Sequence, residues 1–244
     1  MMKGYRPELS FSDDVSARFH DTRGDETECV AFLASLAVNG PALELAIGTG
    51  RIALPLSNEG IRVDGIDFST SMVDLLRSKP GGKDLHVKIA DFKHVDMKGH
   101  YSLIFIIWNS LFNLLTQEDQ AICFDNVAEH LDPAGMFAIE AYVPSFLYRM
   151  VDNQEVKTEK IEADSVRIGV LKHDPVNQML ENSHVTLSAT GTRFDPIVQR
   201  YAWPSELDLM ANNAGLELIN RWSGWNRELF DKDSARHISV YRKI

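Results

Sequence analysis

Basic runs are missing from this chain. It carries 25 Lys and Arg against 35 Asp and Glu, a formal charge of −10. No cluster of cations is present to track a phosphate backbone, which argues against a nucleic-acid partner. Cysteine is nearly as scarce. Cys29 and Cys123 both fall in helix-like apolar patterns, which predicts reduced core thiols rather than a disulfide framework or a metal site. No apolar run approaches the length of a membrane span, and the segment from Met1 to Glu8 has no apolar region of the secretory kind. The expectation is a cytoplasmic protein without a membrane partner. Repeats and low-complexity tracts are also absent. What is present is 244 residues, 44% apolar and 25% charged, which is room for one large α/β domain with a small insertion.

The chain is organised around Leu43 to Arg51, Leu-Glu-Leu-Ala-Ile-Gly-Thr-Gly-Arg. A buried strand (42–47) is expected to run into a glycine turn and then a helix (51–58). Gly48 and Gly50 let the backbone fold tightly and approach a ligand. The following helix aims free N–H groups back into the turn. Further strands are expected at 61–66, 85–90, 101–108 and 136–143, with helices at 26–37, after Ser69, and at 117–131 under a Thr116 cap. Strand and helix thus alternate, which calls for a parallel sheet covered on both faces. After Pro144 the rhythm changes. Segments 166–172, 179–189 and 197–203 read as three successive strands, a small antiparallel sheet inserted as a flap. A helix capped by Ser205 and a last strand pair at 216–222 and 237–242 follow. The expected class is α/β: a Rossmann-like, seven-stranded, mostly parallel sheet with a late antiparallel pair and a small inserted antiparallel sheet. One domain is expected over 1–244, with a cover at 1–40, a binding core at 41–143, an inserted sheet at 144–203 and a completing segment at 204–244.

The glycine turn alone does not choose its ligand. Gly48-Thr-Gly50-Arg-Ile-Ala53 also fits the dinucleotide fingerprint, with Asp67 placed to meet a ribose hydroxyl. A nicotinamide oxidoreductase is therefore the competing reading, and a catalytically silent cofactor-binding protein is another. Three features point elsewhere. Glu44 puts an acid inside the apolar binding strand, where it needs a partner. Asp91-Phe92 closes the third strand with an acid and an aromatic, which suits an adenine edge and face. The sheet ends in an antiparallel pair.

On these residues the chain resembles the class I S-adenosylmethionine-dependent methyltransferases. Leu43 to Arg51 is similar to the family's first motif, with Ala46 where Gly is usual. Gly65-Ile-Asp67-Phe-Ser69 resembles the ribose-binding motif, Ala90-Asp91-Phe92 the adenine-binding motif, and Leu131-Asp-Pro-Ala-Gly135 the turn before the fifth strand. The resemblance implies that backbone around Ala46, Gly48 and Gly50 holds the methionine part of the cofactor, S-adenosylmethionine, which leaves as S-adenosylhomocysteine. It implies that Asp67 holds the ribose, that Met72 or Phe68 packs on the adenine, that Asp91 accepts from its amino group, and that Glu44 orients the turn. Arg51, Phe92 and Trp108 complete the implied cofactor set, and Arg18 is a candidate for its carboxylate.

Methyl transfer from a sulfonium needs placement and exclusion of water more than a fixed catalytic group. The segment after the fourth strand, Trp108-Asn-Ser-Leu-Phe-Asn113, has no Asn/Asp-Pro-Pro-aromatic sequence, and neither cysteine follows a proline. Together with the acidic charge, these omissions point to a nitrogen or oxygen of a small molecule. The chain is most similar to small-molecule methyltransferases, including those of amino sugars. Acid–base candidates are His20, His173, His184, Glu140 and Tyr142. Of these, Glu140, Tyr142 and His173 are taken as the catalytic set, although His173, like His184, also reads as a surface or structural residue of the inserted sheet. Asn109, Phe112, Tyr148, Trp203 and Trp225 are the expected acceptor walls, with Trp222 as a further aromatic. No metal is called for, and a second copy of the chain is an open partner.

Overall fold

The molecule, a computed structural model, describes residues 26–37, 40–95 and 97–244. Its central sheet begins with β1 (Ala42–Leu45), β2 (Val63–Asp67), β3 (His86–Ile89), β4 (Tyr101–Ile106) and β5 (Leu131–Tyr142), all mutually parallel. Next in the chain, β6 (Gln154–Ile161), β7 (Ser165–Asp174), β8 (Met179–Ser188) and β9 (Gly191–Arg200) form a separate antiparallel meander. The chain then returns to the first sheet as β10 (Leu216–Trp222) and β11 (Arg236–Lys243). The final order is β3-β2-β1-β4-β5-β11-β10, with β11 antiparallel to both neighbours.

Two cores sandwich this sheet. Helices α1 (Thr27–Leu36), α2 (Ala53–Asn58) and α3 (Thr70–Ser78) bury Cys29, Leu33, Leu56, Val73 and Leu76 on one face. On the other, α4 (Gln117–His130) and α5 (Pro204–Asn213) bury Phe124, Val127, Leu207 and Met210. Strand β4 supplies Leu103 and Phe105 to the first core and Ile104 and Ile106 to the second, all fully buried. Each such side chain contributes about 1.5–3 kcal/mol relative to exposure, which is why this segment reads as an unbroken apolar run. Among the described residues, no helix is long and apolar enough to cross a membrane.

Capping follows the expected chemistry at two helices. Ser69 Oγ accepts from the Met72 N–H at 3.3 Å, and Thr116 Oγ1 accepts from the Asp119 N–H at 3.0 Å. At α5 the expectation is corrected. Trp203, not Ser205, is the N-cap, and Pro204 opens the helix because its fixed φ is already helical and its missing N–H is not needed there. The fifth strand begins at Leu131 rather than Met136. Residues 132–135 form an irregularity in it, since pairing with β4 jumps from Tyr101↔Leu131 to Leu103↔Met136. The inserted sheet has four strands, not three. β6 is exposed at all eight positions and has no buried face to leave a period-2 signal, while β9 starts six residues earlier than expected, at Gly191.

Candidate active site

β1 leads into a turn with three residues in the left-handed region: Ala46 (φ 59°), Gly48 (φ 53°) and Gly50 (φ 75°). At Gly50 a Cβ would also meet Leu76 Cδ1 at 2.9 Å, so glycine is required twice over. Asp67, the last residue of β2, fastens the turn. Its Oδ2 accepts from the Gly48 N–H at 2.7 Å and its Oδ1 from the Ser69 N–H at 2.8 Å. Burial pushes the Asp67 carboxyl up from its ordinary value, and these N–H donors pull it back. Lys79 Nζ donates to the Thr49 carbonyl at 2.8 Å from the far side, and burial together with neighbouring Arg51 lowers its pKa. Beneath the turn, Glu44 is held by the Ala53 N–H. Burial first, and the Asp67 charge after it, raise its carboxyl well above the usual range.

A second unusual turn follows β4. Trp108 and Asn109 are both left-handed (φ 60° each), a conformation that costs non-glycine residues roughly 1–2 kcal/mol apiece. Glu140 Oε2 accepts from the Trp108 N–H at 3.0 Å, the Asn109 N–H donates to the Glu140 carbonyl at 3.3 Å, and Asn109 Oδ1 accepts from the Tyr142 N–H at 2.7 Å. Strand β5 thus clamps the turn through three bonds. Arg51, ion-paired with Glu26 before α1, lies 4.9 Å from the Trp108 ring centre.

Between the two turns is a cavity of about 280 Å³. Its floor is Glu44, Ala46, Gly48, Thr49, Arg51 and Asp67, with Phe68, Met72 and Phe92 on one side and Trp108, Asn109 and Asn113 on the other. The antiparallel sheet supplies the facing wall, Asn182 and His184 from β8 and Ile197 and Gln199 from β9. Cross-strand pairing of Asn182 with Ile197 puts them on one face of that sheet, and the period of two puts His184 and Gln199 there as well. Gln199 Nε2 reaches the Asn109 carbonyl and Asn113 Oδ1 at 3.4 Å, tying wall to turn.

Nine of the twelve residues implied for the cofactor line this cavity: Glu44, Ala46, Gly48, Arg51, Asp67, Phe68, Met72, Phe92 and Trp108. Gly50 supports the turn from behind. Asp91 is exposed and outside the lining, and its Oδ1 accepts from the Lys93 N–H at 2.9 Å. Arg18 and His20 lie outside the described residues. The favoured acid–base set is placed differently from expectation, for none of the three lines the cavity. Glu140 is occupied by the Trp108 N–H and by Arg236 at 3.3 Å. Tyr142 packs edge-on against Phe112 and Phe146, and burial raises its hydroxyl. His173 is buried, with Nε2 2.9 Å from the Tyr201 hydroxyl, and burial lowers its pKa. Of the expected acceptor walls, Asn109 lines the cavity and Phe112 is full core. Tyr148 and Trp203 stack on each other with ring centres 5.8 Å apart, and Trp225, like Trp222, packs on Phe32 of α1.

Asn182 and Glu159 were not among the expected site residues, and His184, an acid–base candidate read as surface or structural, lines the cavity. His184 Nδ1 is 2.8 Å from both carboxylate oxygens of Glu159. The alternation Asn182-Ser-His184 was available as a signal. Glu159 was not, because its strand gives none.

Residues 42–135 match the model of a family described as a methyltransferase domain. The cypemycin N-terminal methyltransferase of a Streptomyces species is 24% identical over 72% of this chain and 72% of its own. The solved CcbJ methyltransferase from Streptomyces caelestis is 36% identical, covering 98% of this chain and 99% of that one, with a TM-score of 0.91. The chain belongs to the S-adenosylmethionine-dependent methyltransferases. The fold is shared more widely. CalS10, an amino pentose methyltransferase from Micromonospora echinaspora solved with S-adenosylmethionine bound, is 17% identical over 96% of this chain and 98% of its own, at a TM-score of 0.71.

The residues of this methyltransferase fit that cofactor. Nothing lies within 4 Å of where a Gly48 Cβ would stand, so the turn's backbone is open to a ligand. Glu44 Oε2, in the cavity floor, is a buried oxygen without a hydrogen-bond partner among the described residues, and its raised pKa keeps a proton there until a cationic group approaches.

Proposed function

We propose that the methyl acceptor is a small molecule presenting a nitrogen or oxygen to the wall formed by β8 and β9. The carrying observation is a single cavity of about 280 Å³ bounded by the cofactor turn on one side and the antiparallel sheet on the other. A site of that form encloses a compact ligand more readily than a long polymer. S-adenosylmethionine supplies a methyl group on a sulfonium, which leaves as a neutral thioether when a lone pair displaces it. The chain's own part is positional. The clamped Trp108-Asn109 turn and the Gln199 contacts fix the wall, and Phe68, Met72 and Phe92 keep water from the apolar side. Two relatives support this scale of acceptor, since one is an amino pentose methyltransferase and the other the cypemycin N-terminal methyltransferase. Calorimetry with S-adenosylhomocysteine, NADH and NADPH tests the reading. Micromolar binding of the sulfur ligand is expected. Binding of a nicotinamide in its place overturns the assignment.

A further inference from the structure

We propose that His184, held by Glu159, takes the proton released by an amine acceptor as it is methylated. The inference rests on the methyltransferase reading and adds the acceptor's chemistry. β6 carries one extra residue against β7, between Thr158 and Lys160, and that residue is Glu159. A bulge of this kind re-aims a side chain out of the strand's alternation. The carboxylate crosses β7 over Gly169, where a Cβ would lie 2.6 Å from Glu159 Oε1. It reaches His184 on β8, and Arg167 Nε steadies it at 3.0 Å from Oε2. Neither the bulge nor the glycine gap is needed to pair these strands. A carboxylate only accepts, so Nδ1 of His184 carries the proton and Nε2 is left as an acceptor. Asn182 Nδ2, 3.2 Å from Nε2, agrees with that tautomer, and this contact yields to the amine when the acceptor binds.

The cavity's free polar atoms are one-sided. Asn182 Oδ1 and Glu44 Oε2 are the lining side-chain atoms that are buried without a hydrogen-bond partner among the described residues; the first accepts, and the second accepts once a cationic ligand draws off the Glu44 proton. Arg51 is engaged by Glu26 and Trp108. A ligand bringing N–H donors satisfies this wall, while a carboxylate or phosphate does not. The acceptor enters largely as its ammonium form, whose nitrogen has no free lone pair. His184 Nε2 takes one of its protons, the freed lone pair bonds the methyl carbon as the carbon–sulfur bond breaks, and Glu159 stabilises the imidazolium. The charges facing the ring are Glu159 and Arg167 from β6 and β7, and Asp195 with Arg193 from β9. Glu44, Asp67 and Arg51 lie in the same cavity's floor.

Three variants test this. G169A inserts a methyl between Glu159 and His184 without changing charge, E159Q removes the carboxylate's charge, and H184A removes the base. In protein labelled with ¹⁵N-histidine and saturated with S-adenosylhomocysteine, His184 is expected as the Nδ1–H tautomer, a preference lost in E159Q and G169A. The acceptor arm uses amines found by a mass-shift screen over amino sugars, aliphatic amines and aminoacyl peptides. H184A is expected to lose about 100-fold in kcat, with KM changed less than about threefold. Added imidazole should restore part of the loss, which a structural role does not allow. An Nε2–H tautomer, a wild-type kcat in H184A, or methylation of hydroxyl acceptors alone overturns the proposal. A wild-type protein that fails to bind S-adenosylhomocysteine overturns the functional reading instead.

Discussion

Asp67 is almost wholly buried, yet its two oxygens accept from the Gly48 and Ser69 N–H groups. The carboxylate therefore serves as a pin between β2 and the cofactor turn before any ligand is considered. Removing it leaves two inward N–H donors without their acceptor. For Asp67→Ala the expected loss of stability is about 2 kcal/mol in urea unfolding. Because the turn also binds, S-adenosylhomocysteine affinity should fall at least about tenfold by calorimetry, a change of roughly 1.4 kcal/mol. Unchanged affinity would separate the pin from the binding site. Asp67 was legible because its partners are local to a strand–turn–helix motif that the sequence spells out. The pairing of Glu159 with His184 was not, since their meeting depends on a bulge and a bare Gly169 between two non-adjacent strands. Glu140 is placed outside the cavity, on the Trp108 N–H and Arg236. Its position near the C-terminal end of β5 was readable, but the left-handed Trp108 that consumes its carboxylate was not.

At the scale of elements, the parallel half of the sheet could be read because its strands are mostly buried, the edge strand β3 excepted, and each helix has a punctuated start or stop. Ser69 and Thr116 act through local hydrogen bonds, so their signals survive into the fold. The antiparallel insertion was only partly legible. β6 is exposed throughout, and its place is set by pairing with β7, which no local pattern encodes. How strand packing positions the site is clearest at Gly65. It pairs with Glu44 across β1 and β2, and a Cβ there would stand 2.4 Å from Ile47 Cδ1 and 2.9 Å from Ile47 Cβ. Ile47 belongs to the cofactor turn, so Gly65→Ala must push that turn away from β2. Overpacking of this kind costs about 1–3 kcal/mol. The expected signature is a lowered unfolding midpoint together with weakened S-adenosylhomocysteine binding. Retained affinity at wild-type level would show that the turn yields without moving its backbone.

Across the whole molecule, two buried ionisable groups respond to acid in opposite directions. Burial raises the Glu44 carboxyl well above its ordinary value. The folded protein therefore keeps that proton where the unfolded chain has lost it, and Glu44 favours folding more as pH falls. His237, on β11, does the reverse. It is buried against Phe230, with Nδ1 2.9 Å from Ser239 Oγ and Nε2 without a hydrogen-bond partner among the described residues. Burial, and the nearby Arg221 charge after it, depress its pKa to about 3 from an ordinary 6.5. Between those values the unfolded chain binds a proton that the folded chain refuses, so stability is full above pH 6.5 and declines as pH drops toward 3. From pH 7 to pH 5 this amounts to about 2 kcal/mol. Because Glu44 opposes it, the wild-type profile alone does not isolate the histidine. The comparison that does is His237→Asn, which keeps a polar partner for Ser239 but cannot titrate. Urea unfolding at both pH values should show the wild type losing about 2 kcal/mol more than the variant on acidification. Equal losses in the two proteins would mean that His237 gains a proton in the fold, and that the β11 edge admits water or a counter-charge on acidification.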